Sequence, residues 1–270
     1  MVRLGVRCGP PSGFKFLSQV AIFFLRPGNP IDPEAVNGTI WCLHGAVGQA
    51  ADWRELSVPD WGVKRVDLWR FLDCCPMTMP EFGSALNEEA KATGGRNVLL
   101  GYSMGGRLAL HALLDGGPWD AAVLIAPHPG LEAEEERVRR RASDAEWGSK
   151  ALLGDWAEFL SEWNQQPVLA GSTRLPAIPA QRNREVARSF LDWSLGAQEP
   201  LWGRLEEVKC PVLWCVGEQD EKFRVLGERA VKALPQGEMW IAPGSAHRVP
   251  WDAAEAFREK VGEFLERVLS

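Results

Sequence analysis

The chain has 270 residues, of which 46% are hydrophobic and 24% charged. That is the size and composition of one large globular domain, or of one domain carrying an insertion. A formal net charge of −6 argues against nucleic acid or an anionic membrane as the main partner, but leaves a small anionic substrate open. No run reaches the ~18–20 apolar residues that a membrane span needs.

Near the start, Arg3, Arg7 and Lys15 precede an apolar stretch at residues 16–25. It reads as a strand ahead of the main fold or as an overlong start, since Gln19 interrupts it and no small-residue cleavage site follows. Residues 1–37 are therefore set apart as an N-terminal segment of uncertain order.

Residues 39–43 form a short apolar strand that runs into His44-Gly45-Ala46. A second strand is expected at 63–68, with Asp67 near its end, and a helix at 81–93. A third strand at 97–101 leads into Gly101-Tyr102-Ser103-Met104-Gly105, followed by a helix at 105–114. Strand, then G-x-S-x-G, then helix is the pattern of a nucleophile elbow, in which a tight turn exposes the serine hydroxyl. A fourth strand is expected at 121–126.

Residues 128–199 break the alternation. They are rich in Glu, Arg and Trp, and they read as helices at 132–143, 152–163 and 185–195 with a loop at 167–179. This is a helical cap inserted into a core of residues 38–127 and 200–270. A cap selects substrates and excludes water when closed. The core resumes with a buried-type strand at 211–216 that ends near Asp220. A helix near 227–234, a strand at 239–242, a loop ending in His247 and a helix at 253–269 complete it. Continuous apolar strands alternating with helices indicate an α/β fold with a mostly parallel central sheet covered on both faces.

The order Ser103, Asp220, His247 is the triad order of an α/β-hydrolase. Of the four histidines, His44, His111, His128 and His247, only the last follows Asp220. Serine needs a neighbouring base, and the base needs a carboxylate to orient it. Ser103, His247 and Asp220 take those catalytic roles. The expected oxyanion donors are the backbone N–H groups of Ala46 and Met104. His44 reads as a structural support for its loop. The six cysteines, Cys8, Cys42, Cys74, Cys75, Cys210 and Cys215, form no C-x-x-C pair. They read as thiols in a reducing, cytoplasmic setting, with Cys42, Cys210 and Cys215 inside apolar strands. No metal site and no organic cofactor are expected.

Arginine sets the substrate class. Arg107 lies one helical turn after Ser103, so it opens either onto the cleft or onto solvent. Arg137, Arg139, Arg140 and Arg141 surround the first cap helix, so most face water and one could reach the cleft. Glu134, Glu135 and Glu136 read as i,i+4 partners on that helix. Two arginines above a triad favour a carboxylated substrate.

Beyond the elbow, the chain resembles the 2-succinyl-6-hydroxy-2,4-cyclohexadiene-1-carboxylate synthase family of menaquinone biosynthesis. The likeness rests on Leu43-His44-Gly45 with Asp52-Trp53, on residues 101–107, and on His128-Pro129-Gly130-Leu131. It continues through Arg137, Arg140, Asp144 and Trp147, Trp163 with Gln165-Gln166-Pro167-Val168, and Gly217-Glu218, Asp220 and Lys222-Phe223. The resemblance implies a lyase whose triad removes a proton, so that pyruvate leaves 2-succinyl-5-enolpyruvyl-6-hydroxy-3-cyclohexene-1-carboxylate. It also implies substrate contacts from Arg107, Arg140 and Trp163. A further cap arginine is expected, with Arg182 the nearest match and Arg174 or Arg184 as alternatives. The family's Leu-Pro-Gly-His-Gly segment after the second strand is absent, so that rim of the cleft is expected to be built differently. The histidine loop has Ala246 where glycine is usual and lacks a second histidine. Two other readings stand beside the lyase: a serine hydrolase of a carboxylated ester, thioester or carbon–carbon bond, and a catalytically retired fold that binds a ligand or a protein. The expected assembly is a monomer or small homo-oligomer.

Overall fold

The structure is a computed structural model that describes residues 37–73 and 75–270. The reading of residues 1–36, with its strand at 16–25, and those of Cys8 and Cys74 lie outside the described residues. Six strands form one sheet: β1 (Gly38–Leu43), β2 (Trp61–Val66), β3 (Asn97–Tyr102), β4 (Ala121–Ile125), β5 (Val212–Gly217) and β6 (Gly237–Ala242). Their order is β2-β1-β3-β4-β5-β6, and every pairing is parallel. The expected mostly parallel sheet is thus wholly parallel among the described residues.

The apolar runs are continuous because both faces are covered. Alternate residues of each strand enter different cores. Trp41, Leu43, Leu99, Leu124, Trp214 and Val216 face a core shared with helices α1 (Met79–Thr93), α2 (Met104–Leu114) and α6 (Glu221–Ala233). Ile40, Cys42, Leu100, Ile125 and Cys215 face a second core with Phe257, Val261, Phe264 and Leu265 of the last helix (Ala254–Leu269). Cys210 is buried but lies two residues ahead of β5, outside the strand where it was expected.

Three helices stand between β4 and β5: α3 (Glu134–Leu153), α4 (Trp156–Asn164) and α5 (Asn183–Asp192). The expected break after residue 143 does not occur, and α3 runs on for 20 residues. Gly148 lies inside α3 as a packing position: a Cβ there would stand 3.1 Å from the carbonyl oxygen of Ala187 on α5. The real break comes at Gly154, where Asp155 caps α4 by accepting from the N–H of Glu158. Trp147, Trp156, Phe159, Trp163 and Phe190 pack together beneath these helices. The helix expected near 227–234 is longer and begins at Glu221, directly after Asp220. A short helix, α7 (Val249–Asp252), precedes the last one, α8.

Candidate active site

Chain connections leave β1 toward β2 on one side and β3 toward β4 on the other. In such a sheet the crevice at the carboxyl ends of the two diverging strands is the expected ligand site. A cavity of about 460 Å³ opens there, lined by Gly45, Ala46, Ser103, Met104 and His247 from the core, together with His128 and other residues of the cap segment.

Ser103 sits between β3 and α2 with φ +51° and ψ −110°. A non-glycine residue with positive φ is strained, and here the surrounding contacts hold it. Gly101 and Gly105 make the turn possible. A Cβ on Gly101 would stand 2.5 Å from the Gly105 oxygen, and one on Gly105 would stand 2.5 Å from the oxygens of Leu43 and His44. His247 Nε2 is 3.1 Å from Ser103 Oγ, and His247 Nδ1 is 2.6 Å from Asp220 Oδ2. The carboxylate accepts the Nδ1 proton, which leaves Nε2 to accept from the serine. Phe223 packs on the His247 ring with centroids 4.6 Å apart, and Tyr102 lies 5.5 Å away. The base is therefore fixed in orientation and shielded from water. The N–H groups of Ala46 and Met104 have no backbone acceptor among the described residues, and both residues line the cavity.

His44 is fully buried and does not line the cavity. Its Nε2 accepts from the N–H of Leu68 at 3.4 Å, so its proton lies on Nδ1 and goes to the Gly45 carbonyl at 2.9 Å. Its ring packs on Trp69, 4.9 Å away. Burial pushes its pKa down to about 4, so it is a neutral support for the oxyanion loop. The rim without the Leu-Pro-Gly-His-Gly segment is a 3₁₀ turn, Leu68–Phe71, capped by Asp67, which accepts from the N–H of Trp69.

Arg107 is buried, and its guanidinium meets only neutral acceptors: the Trp193 carbonyl at 2.8 Å, Gln198 Oε1 at 3.2 Å and Met79 Sδ at 3.6 Å. Burial, then the charge of nearby Arg140, push its pKa down to about 9. Asp144 acts on it only from a distance; a buried cation with no acid in hydrogen-bond contact among the described residues is costly, and a bound carboxylate would relieve that cost. Arg140 also lines the cavity, with its Nε donating to Asp144 at 2.8 Å. Trp163 lines the same wall, held edge-on between Trp147 and Phe190.

Arg182 is a correction. Its guanidinium pairs with Asp67 at 2.8 Å and with Glu185 at 3.1 Å, and it does not line the cavity. Asp67, at the end of β2, pulls it toward the sheet edge, where it ties the cap segment to the core. Arg174 lines the cavity instead, while Arg184 lies on the outer face of the cap helices. The acidic run also pairs differently from the expected i,i+4 pattern: Glu134 holds Arg137 and Arg141, three and seven residues on.

Sequence reasoning gave no role to Arg248 or Lys222, and both line the cleft. Arg248 follows the base directly. It donates to the Thr173 carbonyl at 2.8 Å and to Asn164 Oδ1 at 3.0 Å. Asp252 accepts from the N–H of Thr173 and, with its other oxygen, from that of Ala246. The cap loop and the histidine loop are thus stitched together on both sides of His247. Adjacency to His247 was the one available signal for Arg248. Among the described residues no cluster of three or more His, Cys, Asp or Glu side chains could hold a metal ion, and no helix is long and apolar enough to cross a membrane.

A parallel sheet with a strained serine after its third strand, a buried Asp–His pair and open amides beside the serine defines an α/β-hydrolase-type site. The family model described as "Alpha/beta hydrolase family" matches residues 42–260, and the chain belongs to that family. It is 31% identical over 215 residues to the 2-succinyl-6-hydroxy-2,4-cyclohexadiene-1-carboxylate synthase of Salmonella paratyphi C (strain RKS4594), covering 75% of this chain and 83% of that one. Among solved structures, MenH from S. aureus superposes with a TM-score of 0.79 at 23% identity, covering 87% of this chain and 96% of that one. A malate-bound thermophilic esterase from Thermogutta terrifontis superposes with a TM-score of 0.64 at 21% identity, covering 86% and 90%.

Proposed function

We propose that this chain is a lyase of menaquinone biosynthesis that eliminates pyruvate from 2-succinyl-5-enolpyruvyl-6-hydroxy-3-cyclohexene-1-carboxylate to give 2-succinyl-6-hydroxy-2,4-cyclohexadiene-1-carboxylate. The observation that carries the reading is Arg107: a buried cation that meets only neutral acceptors and lines the same cavity as Ser103 and His247. That arrangement suits a substrate with several carboxylates, and the 31% identity to the Salmonella synthase points the same way.

In this reading Ser103 passes its proton to His247, and Asp220 stabilises the resulting imidazolium. The serine oxygen then accepts the carbon-bound proton next to the succinyl carbonyl. Negative charge builds on that carbonyl oxygen, toward the N–H groups of Ala46 and Met104. The electron pair moves through the ring as a new double bond forms, and the carbon–oxygen bond to the enolpyruvyl group breaks. Pyruvate leaves as its enolate and takes up a proton. Arg107 and Arg140, with Arg174 in the place expected of Arg182, hold the carboxylates, and Trp163 forms the apolar wall. The reaction calls for no metal and no organic cofactor. We place the enzyme in the cytoplasm as a monomer or small homo-oligomer acting on a small anionic substrate, with no nucleic-acid or membrane partner.

The test is direct: purified protein mixed with the enolpyruvyl substrate should release one pyruvate per substrate, followed by a coupled lactate dehydrogenase assay. Absence of pyruvate overturns the reading. A serine hydrolase of a carboxylated ester, thioester or carbon–carbon bond is the second reading, favoured by the connected Ser103–His247–Asp220 set. Burst release of alcohol from short acyl esters would select it.

A further inference from the structure

His128 lines the same cavity as Ser103 and His247, and the proposed reaction gives it no role. The N–H of Gly130 donates to its Nδ1 at 3.0 Å. A backbone amide can only donate, so Nδ1 carries no proton and the neutral ring bears its proton on Nε2. Among the described residues no group hydrogen-bonds that Nε2. The His128 carbonyl accepts from Gln198 Nε2 at 3.1 Å, and Gln198 Oε1 accepts from Arg107 at 3.2 Å. One amide side chain therefore holds the His128 backbone and the Arg107 guanidinium in a single frame.

The surroundings keep the ring uncharged. Phe223 stands edge-on to it, with centroids 6.4 Å apart. Lys222, Arg107 and Arg140 act on it as cations, with Glu132 opposing, and burial together with those charges pushes its pKa down to about 3. An imidazole held neutral, with Nδ1 occupied, offers an N–H donor and no base. Its value in a cationic cleft is physical: it binds an oxygen without adding another repelling charge.

We propose that His128 is a specificity-determining residue whose Nε2–H joins Arg107 in holding one carboxylate of the substrate. This rests on the anionic-substrate reading of the cleft. Two variants separate the donor from the turn that Nδ1 supports. His128→Asn keeps an acceptor toward the Gly130 N–H, while its shorter amide N–H no longer reaches the position of Nε2. His128→Gln places an amide N–H near the position of Nε2. His128→Asn should raise KM roughly 10- to 100-fold, the worth of a hydrogen bond to a charged group, with kcat within about threefold by the same reasoning. His128→Gln should recover most of the loss, and His128→Asn should keep the parent Tm. An unchanged KM in His128→Asn overturns the proposal. So does equal damage in both variants with a lowered Tm, which would confine His128 to the turn.

A second measurement separates this proposal from the proposed reaction. Imidazole ¹⁵N spectra of the wild-type protein at pH 7 should show His128 as the neutral Nε2–H tautomer, and its Nε2 resonance should move on adding tricarballylate, an unreactive tricarboxylate. If no pyruvate forms from the enolpyruvyl substrate but tricarballylate moves that resonance, the reaction is wrong and His128 stands. If pyruvate forms and the resonance stays still, His128 falls and the reaction stands. An imidazolium or an Nδ1–H tautomer also overturns the proposal.

Discussion

The carboxyl ends of the strands and the helices above them use charge in opposite ways. At the strand ends, Ser103, His247 and Asp220 form one connected line of hydrogen bonds, and Arg107 lies buried with only neutral hydrogen-bond acceptors among the described residues. In the helical segment several arginines come with acids. Arg137 holds Glu199 and Glu134, Arg140 holds Asp144, and Arg182 holds Asp67 and Glu185. A paired arginine near the surface fastens one part of the chain to another and contributes little to stability. An unpaired, buried one is left with binding capacity to spend on a guest. The contrast assigns each arginine a task before any ligand is considered.

The sharpest way to break that contrast is at the strand ends. Ser103→Ala or His247→Ala should lower kcat by roughly four orders of magnitude with Tm unchanged, read by pyruvate release. Arg107→Met comes next: KM should rise about a hundredfold, the worth of two charge-assisted hydrogen bonds. Its Tm should stay level or rise, because a buried uncompensated charge is gone. Retained KM would place the anion site elsewhere.

The pH profile tests the same residue a second way. Burial and the charge of Arg140 push the Arg107 pKa down, yet a guanidinium holds its proton through the working range. The ratio of KM between Arg107→Met and wild type should therefore stay constant from roughly pH 6 to 8, and a ratio that changes with pH would give the carboxylate contact to a titrating group instead. The smallest effects come from the cap. Arg174→Ala should raise KM several-fold, roughly the worth of one exposed charged contact. Arg182→Ala should leave KM within about twofold and cost at most about 1 kcal/mol of stability, since its ion pairs are part-exposed. The reverse ranking would restore Arg182 to the site.

The catalytic line was legible because each of its parts is local. A strained turn needs glycines at fixed offsets around Ser103, and His247 is the one histidine after Asp220. The sheet was legible because parallel strands buried on both faces read as unbroken apolar runs. The cap arginines were not, since a charged helix shows a similar pattern all round and only tertiary packing tells which side meets the cleft. Arg182 stands away from the cleft because Asp67, 115 residues away in the chain, captures it. The length of α3 was hidden for a related reason, because the close approach of α5 to Gly148 is invisible in the local sequence. Arg248 and Lys222 reach the cleft through loops and a helix start whose direction no spacing rule fixes.

The mouth of the cleft carries a sign opposite to that of the whole molecule. Five cationic side chains, Arg107, Arg140, Arg174, Lys222 and Arg248, border it against two carboxylates, Asp52 and Asp144, on a chain whose formal charge is −6. Field lines converge on such an opening, so a polyanion is repelled by the general surface and drawn in at one place. Dissolved ions weaken that pull over distances of about 10 Å at 0.1 M salt. For the proposed anionic substrate, capture should weaken as salt is raised, whereas the Ser103–His247–Asp220 line, backed by Phe223 and Tyr102, should respond far less.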